Sequence, residues 1–189
     1  MTLFRTVEPA AEPVTLAETK VHLRIDADGE DDLLDALIRA ARDEVEKATG
    51  MALISQAWRL ALDDWPAGNQ VQLCRHPVRE ILSVTAFGSE GEASLVDPAD
   101  YQFDPVSRPA RLHVDGPPEA LRAMNGIEID FSAGFGEAGT DVPDLLRRAI
   151  LVLVAHWYEL RAHVDPADQP ASYPPTYARM IAGYKARRL

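Results

Sequence analysis

The chain has 189 residues, of which 47% are hydrophobic, enough for one compact domain or a domain with a smaller insert. Its 30 acidic and 19 basic side chains give a formal net charge of −11, which argues against a protein that binds nucleic acid through a broad surface. Cys74 is the single cysteine, so an internal disulfide and a thiolate zinc cluster are excluded. The sequence has neither the apolar core of a signal peptide nor an apolar run long enough to span a bilayer, which predicts a cytoplasmic protein.

Residues 1–54 are predicted to form a helical N-terminal part. Thr15 and Glu18 have the spacing of a capping box, which predicts a short helix over residues 15–24. A second helix is predicted to follow the acidic run 26–32 and to end at Gly50, a favourable C-terminal stop. Its apolar side chains recur every three or four residues, at Leu34, Ile38, Ala41, Val45 and Ala48.

Residues 55–135 are predicted to form a small antiparallel β module, because the hydrophobic period changes from helical to alternating. Short loops rich in Gly, Pro, Asp and Ser separate the strand candidates. The fold class is therefore α+β, a mainly helical core of about four helices with an inserted β module. The strand candidates are residues 58–62, 71–74, 81–87, 101–103, 111–114 and 127–131.

Residues 141–164 are predicted to form a long buried helix. Its middle, from Leu145 to Leu160, is apolar on nearly every face, so it must lie at the centre of the fold or also face another subunit. Pro166, Pro170, Pro174 and Pro175 then interrupt the chain.

Residues 165–189 comprise this proline-rich loop and a C-terminal amphipathic helix. The helix carries its apolar side chains, Tyr177, Met180, Ile181 and Tyr184, at positions i, i+3, i+4 and i+7. This pattern fits a docking arm for a partner groove and fits equally well a last helix folded onto its own core.

The charge is distributed unevenly along the chain. Residues 1–141 contain 26 acidic and 12 basic side chains, whereas residues 142–189 contain 4 and 7. The last segment carries Arg179, Lys185, Arg187 and Arg188 and no acid after residue 176. These cations suit docking to an acidic partner, although they would also complement the carbonyl end of a final helix.

Two patterns invite a chemical interpretation. Residues 134–139 match GxGxxG, but no βαβ unit surrounds them and nearby acids would repel a pyrophosphate, so we expect a strand-to-helix loop and no cofactor. His156, Glu159 and His163 share one face of the long helix and could converge on a metal in a small metal-dependent hydrolase. A metal-dependent hydrolase is therefore the alternative hypothesis for the function. The sequence contains no catalytic serine elbow, P-loop or zinc-finger motif.

The ordered segments resemble the head-tail connector, or adaptor, proteins of long-tailed bacteriophages and gene transfer agents. The resemblance covers nearly the whole chain. Its segments are VTLAETKVHLRID (14–26), DDLLDALIRAARDEVEKATG (31–50), WRLALDDWP (58–66), HPVREILSV (76–84), DYQFD (100–104), GIEIDFSAGFG (126–136), VPDLLRRAILVLVAHWYELR (142–161) and PPTYARMIAGYKARRL (174–189).

This resemblance implies a non-enzymatic structural protein with neither metal nor cofactor. It implies a ring of about twelve copies beneath the portal protein, made in the bacterial cytoplasm and assembled into the particle at the head-tail interface. The ring would extend the DNA channel and meet a stopper or other tail-proximal protein, with no membrane partner.

DNA would pass without specific binding, and we expect acids in the run from Asp26 to Asp35 to line the lumen. The family's portal-docking segment falls here on Tyr177, Met180, Ile181, Tyr184, Lys185, Arg187 and Arg188.

Overall fold

A computed structural model describes residues 1–118, 121–160 and 173–185. The chain divides into two compact units. Residues Met1–Ala10 and Ser55–Phe135 form a β-sheet unit, and residues Ala11–Ile54 and Gly136–Leu189 form a helical unit. No helix of the described residues is both long and apolar enough to cross a bilayer.

The β-sheet unit contains two antiparallel sheets. One has five strands in the order β1-β2-β8-β4-β5, and the other has three in the order β3-β7-β6. The strands are β1 (Thr2–Val7), β2 (Gln56–Leu62), β3 (Gln70–Leu73), β4 (Val78–Phe87), β5 (Ala93–Leu95), β6 (Tyr101–Asp104), β7 (Ala110–Val114) and β8 (Ile127–Ala133).

The residue pattern of the central strand β8 explains its register with the strands on either side, β2 and β4. Ile127, Ile129 and Phe131 alternate along it and are fully buried, so one face of the strand enters the core. The opposite face is polar, and Asp130 accepts two hydrogen bonds from Arg59 of β2, at 2.7 and 2.8 Å. The alternation of apolar and polar residues fixes the register, since a slip of one residue would bury the ion pair.

Two strands were not predicted, and one of them lies within residues 1–54, which were predicted as a helical N-terminal part. Thr2–Val7 forms strand β1, which pairs with β2 more than fifty residues later. Ala93–Leu95 forms β5 at the other edge of the same sheet, and all three of its residues are exposed. Edge strands bury little side-chain surface, so their hydrophobic alternation is weak and backbone pairing with the neighbouring strand defines them.

The helical unit contains α1 (Leu16–Leu23), α2 (Asp31–Thr49), α3 (Asp144–Leu160) and α4 (Pro175–Ile181). The predicted capping box is confirmed, because Glu18 N donates to Thr15 Oγ1 at 3.1 Å and Thr15 N donates to Glu18 Oε2 at 2.8 Å. The predicted stop of α2 is also confirmed, since Gly50 adopts the left-handed conformation with φ of 73°.

A buried ionic network centred on Arg42 connects three segments of this unit. The Arg42 Nε lies 2.9 Å from Glu12 Oε2, in the segment before α1, and its Nη1 lies 3.7 Å from Glu46 on the next turn of α2. Glu46 Oε1 in turn accepts a hydrogen bond of 2.8 Å from the backbone N–H of Leu53. Arg42 and Glu46 are each 4% exposed, so the two opposite charges are buried close to each other.

The long helix α3 is buried on one side only, which differs from the expectation of burial all round. Leu146, Ala149, Ile150, Leu153 and Val154 form its buried stripe, and α3 packs there against the other helices of the unit. Its other apolar side chains stay half-buried or exposed, because a bundle of so few helices covers one side of each. Residues 161–164 of the predicted helix lie outside the described part of the chain.

The glycines of the GxGxxG pattern serve close packing in the loop before α3. A Cβ on Gly139 would lie 2.7 Å from the Pro13 carbonyl oxygen, and a Cβ on Gly136 would lie 2.1 Å from the Asp141 carboxylate. Both contacts are within the helical unit, and Asp141 also accepts a hydrogen bond from Ala138 N at 2.9 Å. The pattern therefore reflects a tight connection into α3.

His76 in the β-sheet unit makes stability depend on pH. It is 7% exposed and its Nδ1 has no hydrogen-bond partner within the described residues. Burial, followed by the charges of Arg108 and Arg75, lowers the pKa of His76 below 6.5. Because the folded pKa is depressed, its contribution to stability is present above pH 6.5 and is lost as the pH falls through the folded pKa.

We therefore expect the melting temperature to fall between about pH 8 and about pH 5.5, and to fall less in His76→Gln than in the wild type. Thermal melts at both pH values measure the difference. His113→Gln, which changes an imidazole that is 42% exposed, is measured alongside as the same substitution at an exposed site. An equal slope in His76→Gln and the wild type would contradict the assignment.

Candidate docking site of the C-terminal segment

The short helix α4 carries three of the residues predicted to bind a partner, Tyr177, Met180 and Ile181, and Tyr184 and Lys185 follow it. It begins at Pro175, with Pro174 as its N-cap, which suits the fixed φ of proline at a helix start. It packs against α3 and α2 of its own unit. Tyr177 and Ile181, one turn apart, face inward and are 4% and 1% exposed.

The inward side of α4 forms an aromatic and acidic cluster with α2. The Tyr173 and Tyr177 rings stack at a centroid distance of 5.7 Å, and the Glu44 carboxylate is close enough to influence both phenols. Burial, followed by the Glu44 charge, raises the pKa of both phenols. The Tyr177 hydroxyl is buried without a hydrogen-bond partner in the described part of the chain.

The outward side of α4 is open to solvent. Arg179 and Lys185 are exposed, whereas Met180 and Tyr184 are half-buried. Arg187 and Arg188 lie outside the described residues. The structure thus brings the predicted apolar positions together, but it buries Tyr177 and Ile181 in their own unit and leaves cations at the surface.

Two members of this cluster, Tyr173 and Glu44, were not predicted to belong to the site. Tyr173 precedes Tyr177 by one helical turn, and that spacing was available in the sequence. Glu44 lies on α2, more than 120 residues away, and only the packing of α4 on α2 brings it near the phenols.

The alternative metal site gains no support from the described residues. His156 and Glu159 lie on α3, and His163 lies outside the described part of the chain. Among the residues that the structure describes, no three His, Cys, Asp or Glu side chains are grouped so that they could hold a metal ion.

Residues 13–91 match the model of the phage gp6-like head-tail connector protein family. This segment begins before α1, includes α2 and ends in the loop after β4. A search of curated protein sequences found no significant match.

Solved gene transfer agent (GTA) particles contain chains similar to this one. The similar chains come from the neck of an empty GTA particle computed with C6 symmetry, the virion of a native GTA particle, and the neck of a native GTA particle computed with C12 symmetry. Their TM-scores are 0.83, 0.84 and 0.81, with sequence identities of 28%, 27% and 29%. Each alignment covers 100% of this chain and 97% of the other.

These matched chains are structural components of particles, and the resemblance extends over both units. Residues 13–91 are thus similar in sequence to the phage gp6-like head-tail connector family, and over its whole length the chain is similar in fold to chains of gene transfer agent necks and virions.

Proposed function

We propose that this protein forms a ring of about twelve copies beneath the portal of a phage or gene transfer agent particle. The ring extends the DNA channel, links the capsid to a stopper or other tail-proximal protein, and has no enzymatic role. The observation that carries this proposal is the whole-chain match to a component of a neck computed with C12 symmetry. A closed cyclic assembly places the same surface of every copy around one axis.

The C-terminal segment is the proposed portal-docking element. Tyr177 and Ile181 hold α4 on its own unit, so their role is to position the helix. Lys185 and the half-buried Met180 and Tyr184 are left to meet the portal, together with Arg187 and Arg188 beyond the described residues. Cations around an apolar patch suit an acidic portal rim, since such charges steer association and fix its orientation.

The acidic run contributes less free charge to the channel than its composition indicates. Lys20 of α1 lies 2.6 Å from both Asp28 and Asp31, which partly neutralises these two acids. Asp26 is exposed and has no ion pair within residues 1–118, 121–160 and 173–185. We therefore propose the loop around Asp26 as the lumen-facing part of the run, where it repels passing phosphates.

Co-expression with the portal protein of the same particle tests the function. Native mass spectrometry and negative-stain microscopy of the purified complex should show a portal ring carrying about twelve copies of this chain. A monomer alone agrees with the proposal, because such a ring can depend on the portal for assembly. Failure to form any complex under assembly conditions would contradict it.

Reversing the exposed cations of the C-terminal segment should weaken portal binding at least about tenfold at low salt while the fold is retained. The variant is Arg179→Glu combined with Lys185→Glu, and both side chains are exposed. Its matched control is Arg79→Glu with Arg108→Glu, which makes the same charge change on exposed residues of the β-sheet unit. Surface plasmon resonance at two salt concentrations measures the effect, and equal binding by the two double variants would exclude this docking surface.

A further inference from the structure

The outward faces of α1 and α3 form an apolar groove that the rest of the helical unit leaves open. Its volume is about 470 Å³, and Ala17, Val21 and Leu151 supply its apolar lining. Val21 is 80% exposed, although it is a β-branched apolar residue within a helix. Leu145, which is 45% exposed, extends the apolar surface along α3. An uncovered apolar surface of this kind typically marks a site of protein association.

One cation at this groove is free for a partner. Arg147 is already engaged, because it forms ion pairs with Glu18 and with Asp144 and donates to the Pro13 carbonyl oxygen at 3.1 Å. Arg148 is exposed and has no ion pair within the described part of the chain. The groove therefore offers apolar contacts beside one unpaired positive charge.

The outward face of α2 has the complementary chemistry. Leu33 is 38% exposed, and the exposed Ala36 and Ala40 continue the same face one and two turns later. Asp32, beside Leu33, is exposed and also lacks an ion pair among the described residues. The small alanine side chains permit close approach of another helix, while Leu33 and Asp32 match the apolar lining and the free Arg148.

These two faces contain most of the exposed apolar surface of the helical unit. Its large apolar side chains that are exposed in the described residues are Val21, Leu33, Leu145 and Tyr173. The first three lie on the two faces just described, and Tyr173 belongs to the cluster beside α4. Because the two faces differ, contact between them in separate copies is head-to-tail, which is the type of contact that closes a ring.

We propose that the outward face of α2 on one copy docks into the α1–α3 groove of the next copy. The inference rests on the proposed ring and identifies the surfaces that build it. Arg148 pairs with Asp32 of the neighbouring copy, and Val21 and Leu151 cover its Leu33 and Ala36. The occupant is a second copy because the similar neck chains occur in structures computed with C6 and C12 symmetry, and because the charges of the two faces are complementary.

Cysteine cross-linking tests this arrangement in full-length protein bound to its portal. In a Cys74→Ser background, which removes the exposed native thiol, Val21→Cys and Leu33→Cys are combined in one chain. A short bis-maleimide spans the 8–10 Å that separates packed helices, so we expect a ladder of covalent oligomers on a denaturing gel. Replacing Leu33→Cys by Val106→Cys, at a side chain 87% exposed in the β-sheet unit, is the matched control and should give no ladder.

Charge reversal provides a second test. Arg148→Glu should raise the chain concentration needed for half-assembly on the portal at least about tenfold, and adding Asp32→Arg should restore assembly. Arg79→Glu, an exposed arginine of the β-sheet unit, serves as the control and should assemble like the wild type.

The outcomes separate this inference from the proposed function. A wild-type ring seen by native mass spectrometry, with no ladder and no effect of Arg148→Glu, would overturn the interface and leave the connector function intact. Cross-linking of Val21→Cys chains to one another would show a two-fold contact and overturn the head-to-tail arrangement. Absence of any ring on the portal would overturn both proposals.

Discussion

Replacing Arg42 by alanine is expected to destabilise the protein by about 3–5 kcal/mol. The substitution leaves the buried Glu46, and the half-buried Glu12, without the guanidinium that compensates their charges. It also loosens the attachment of the segment before α1 to α2, because the Arg42–Glu12 contact connects them. Urea unfolding followed by circular dichroism measures the loss as a shift of the midpoint at constant slope.

Arg39→Ala is the matched control for this prediction. Arg39 lies on the same helix but is exposed, so its removal should change stability by no more than about 0.5 kcal/mol. If Arg42→Ala proved as mild as Arg39→Ala, the network would not contribute to the stability of the helical unit.

Glu12→Gln should affect stability much less than Arg42→Ala does. Burial is the largest influence on Glu12 and raises its pKa, although Arg42 opposes the shift. With a raised folded pKa, the contribution of this carboxyl is fully present at low pH and is lost as the pH rises through the folded pKa. Glutamine keeps an oxygen that accepts a hydrogen bond from Arg42 Nε, but it carries no charge to be buried. The stability of Glu12→Gln should therefore lack the pH dependence that the Glu12 carboxyl contributes.

Deleting residues 177–189 should abolish portal binding and also lower stability by about 3–6 kcal/mol. The first effect follows from the proposed docking role of the segment. The second follows from the loss of Tyr177 and Ile181, since burial of a large apolar side chain contributes about 1.5–3 kcal/mol. The truncated chain should still melt cooperatively, because Leu34, Ile38 and Leu146 remain in a fully buried core.

Ile181→Ala separates the two effects of the deletion. It should cost about 2–4 kcal/mol through the cavity it leaves, while Arg179 and Lys185 stay available to the portal. Portal binding measured well below the melting temperature should therefore persist in Ile181→Ala and vanish in the truncated chain. A truncated chain with wild-type stability would show that α4 does not pack on its own unit in solution.

The connector role is consistent with where this protein concentrates its interactions. In the helical unit, the Thr15–Glu18 capping box and the ionic network of Arg42 stabilise the packing of the helices. Within the described part of the helical unit, the exposed large apolar side chains are Val21, Leu33 and Leu145 on outward helix faces and Tyr173 beside α4. Such an arrangement suits a protein whose contacts are made with other protein surfaces rather than inside a catalytic pocket.

Local physics was enough to predict the helices of the N-terminal part. The Thr15–Glu18 spacing, the apolar stripe of α2 and Gly50 each act within one or two helical turns, and the structure confirms all three. Strand β1 was missed because its partner β2 lies about fifty residues later in the chain, and β5 was missed because its three residues are all exposed and show no apolar alternation. The assignment of residues 1–54 to a helical part failed at β1 for the same reason.

The sequence by itself determined the fold class and the chemical character of the C-terminal segment, because periodicity, capping and charge are local properties. Only the tertiary structure decided which sides of these elements are free. Tyr177 and Ile181 carry the same periodic pattern whether they face a partner or their own core, and packing against α2 and α3 buries them. Likewise, Val21 and Arg148 become candidates for a subunit contact only because the surrounding helices leave them uncovered.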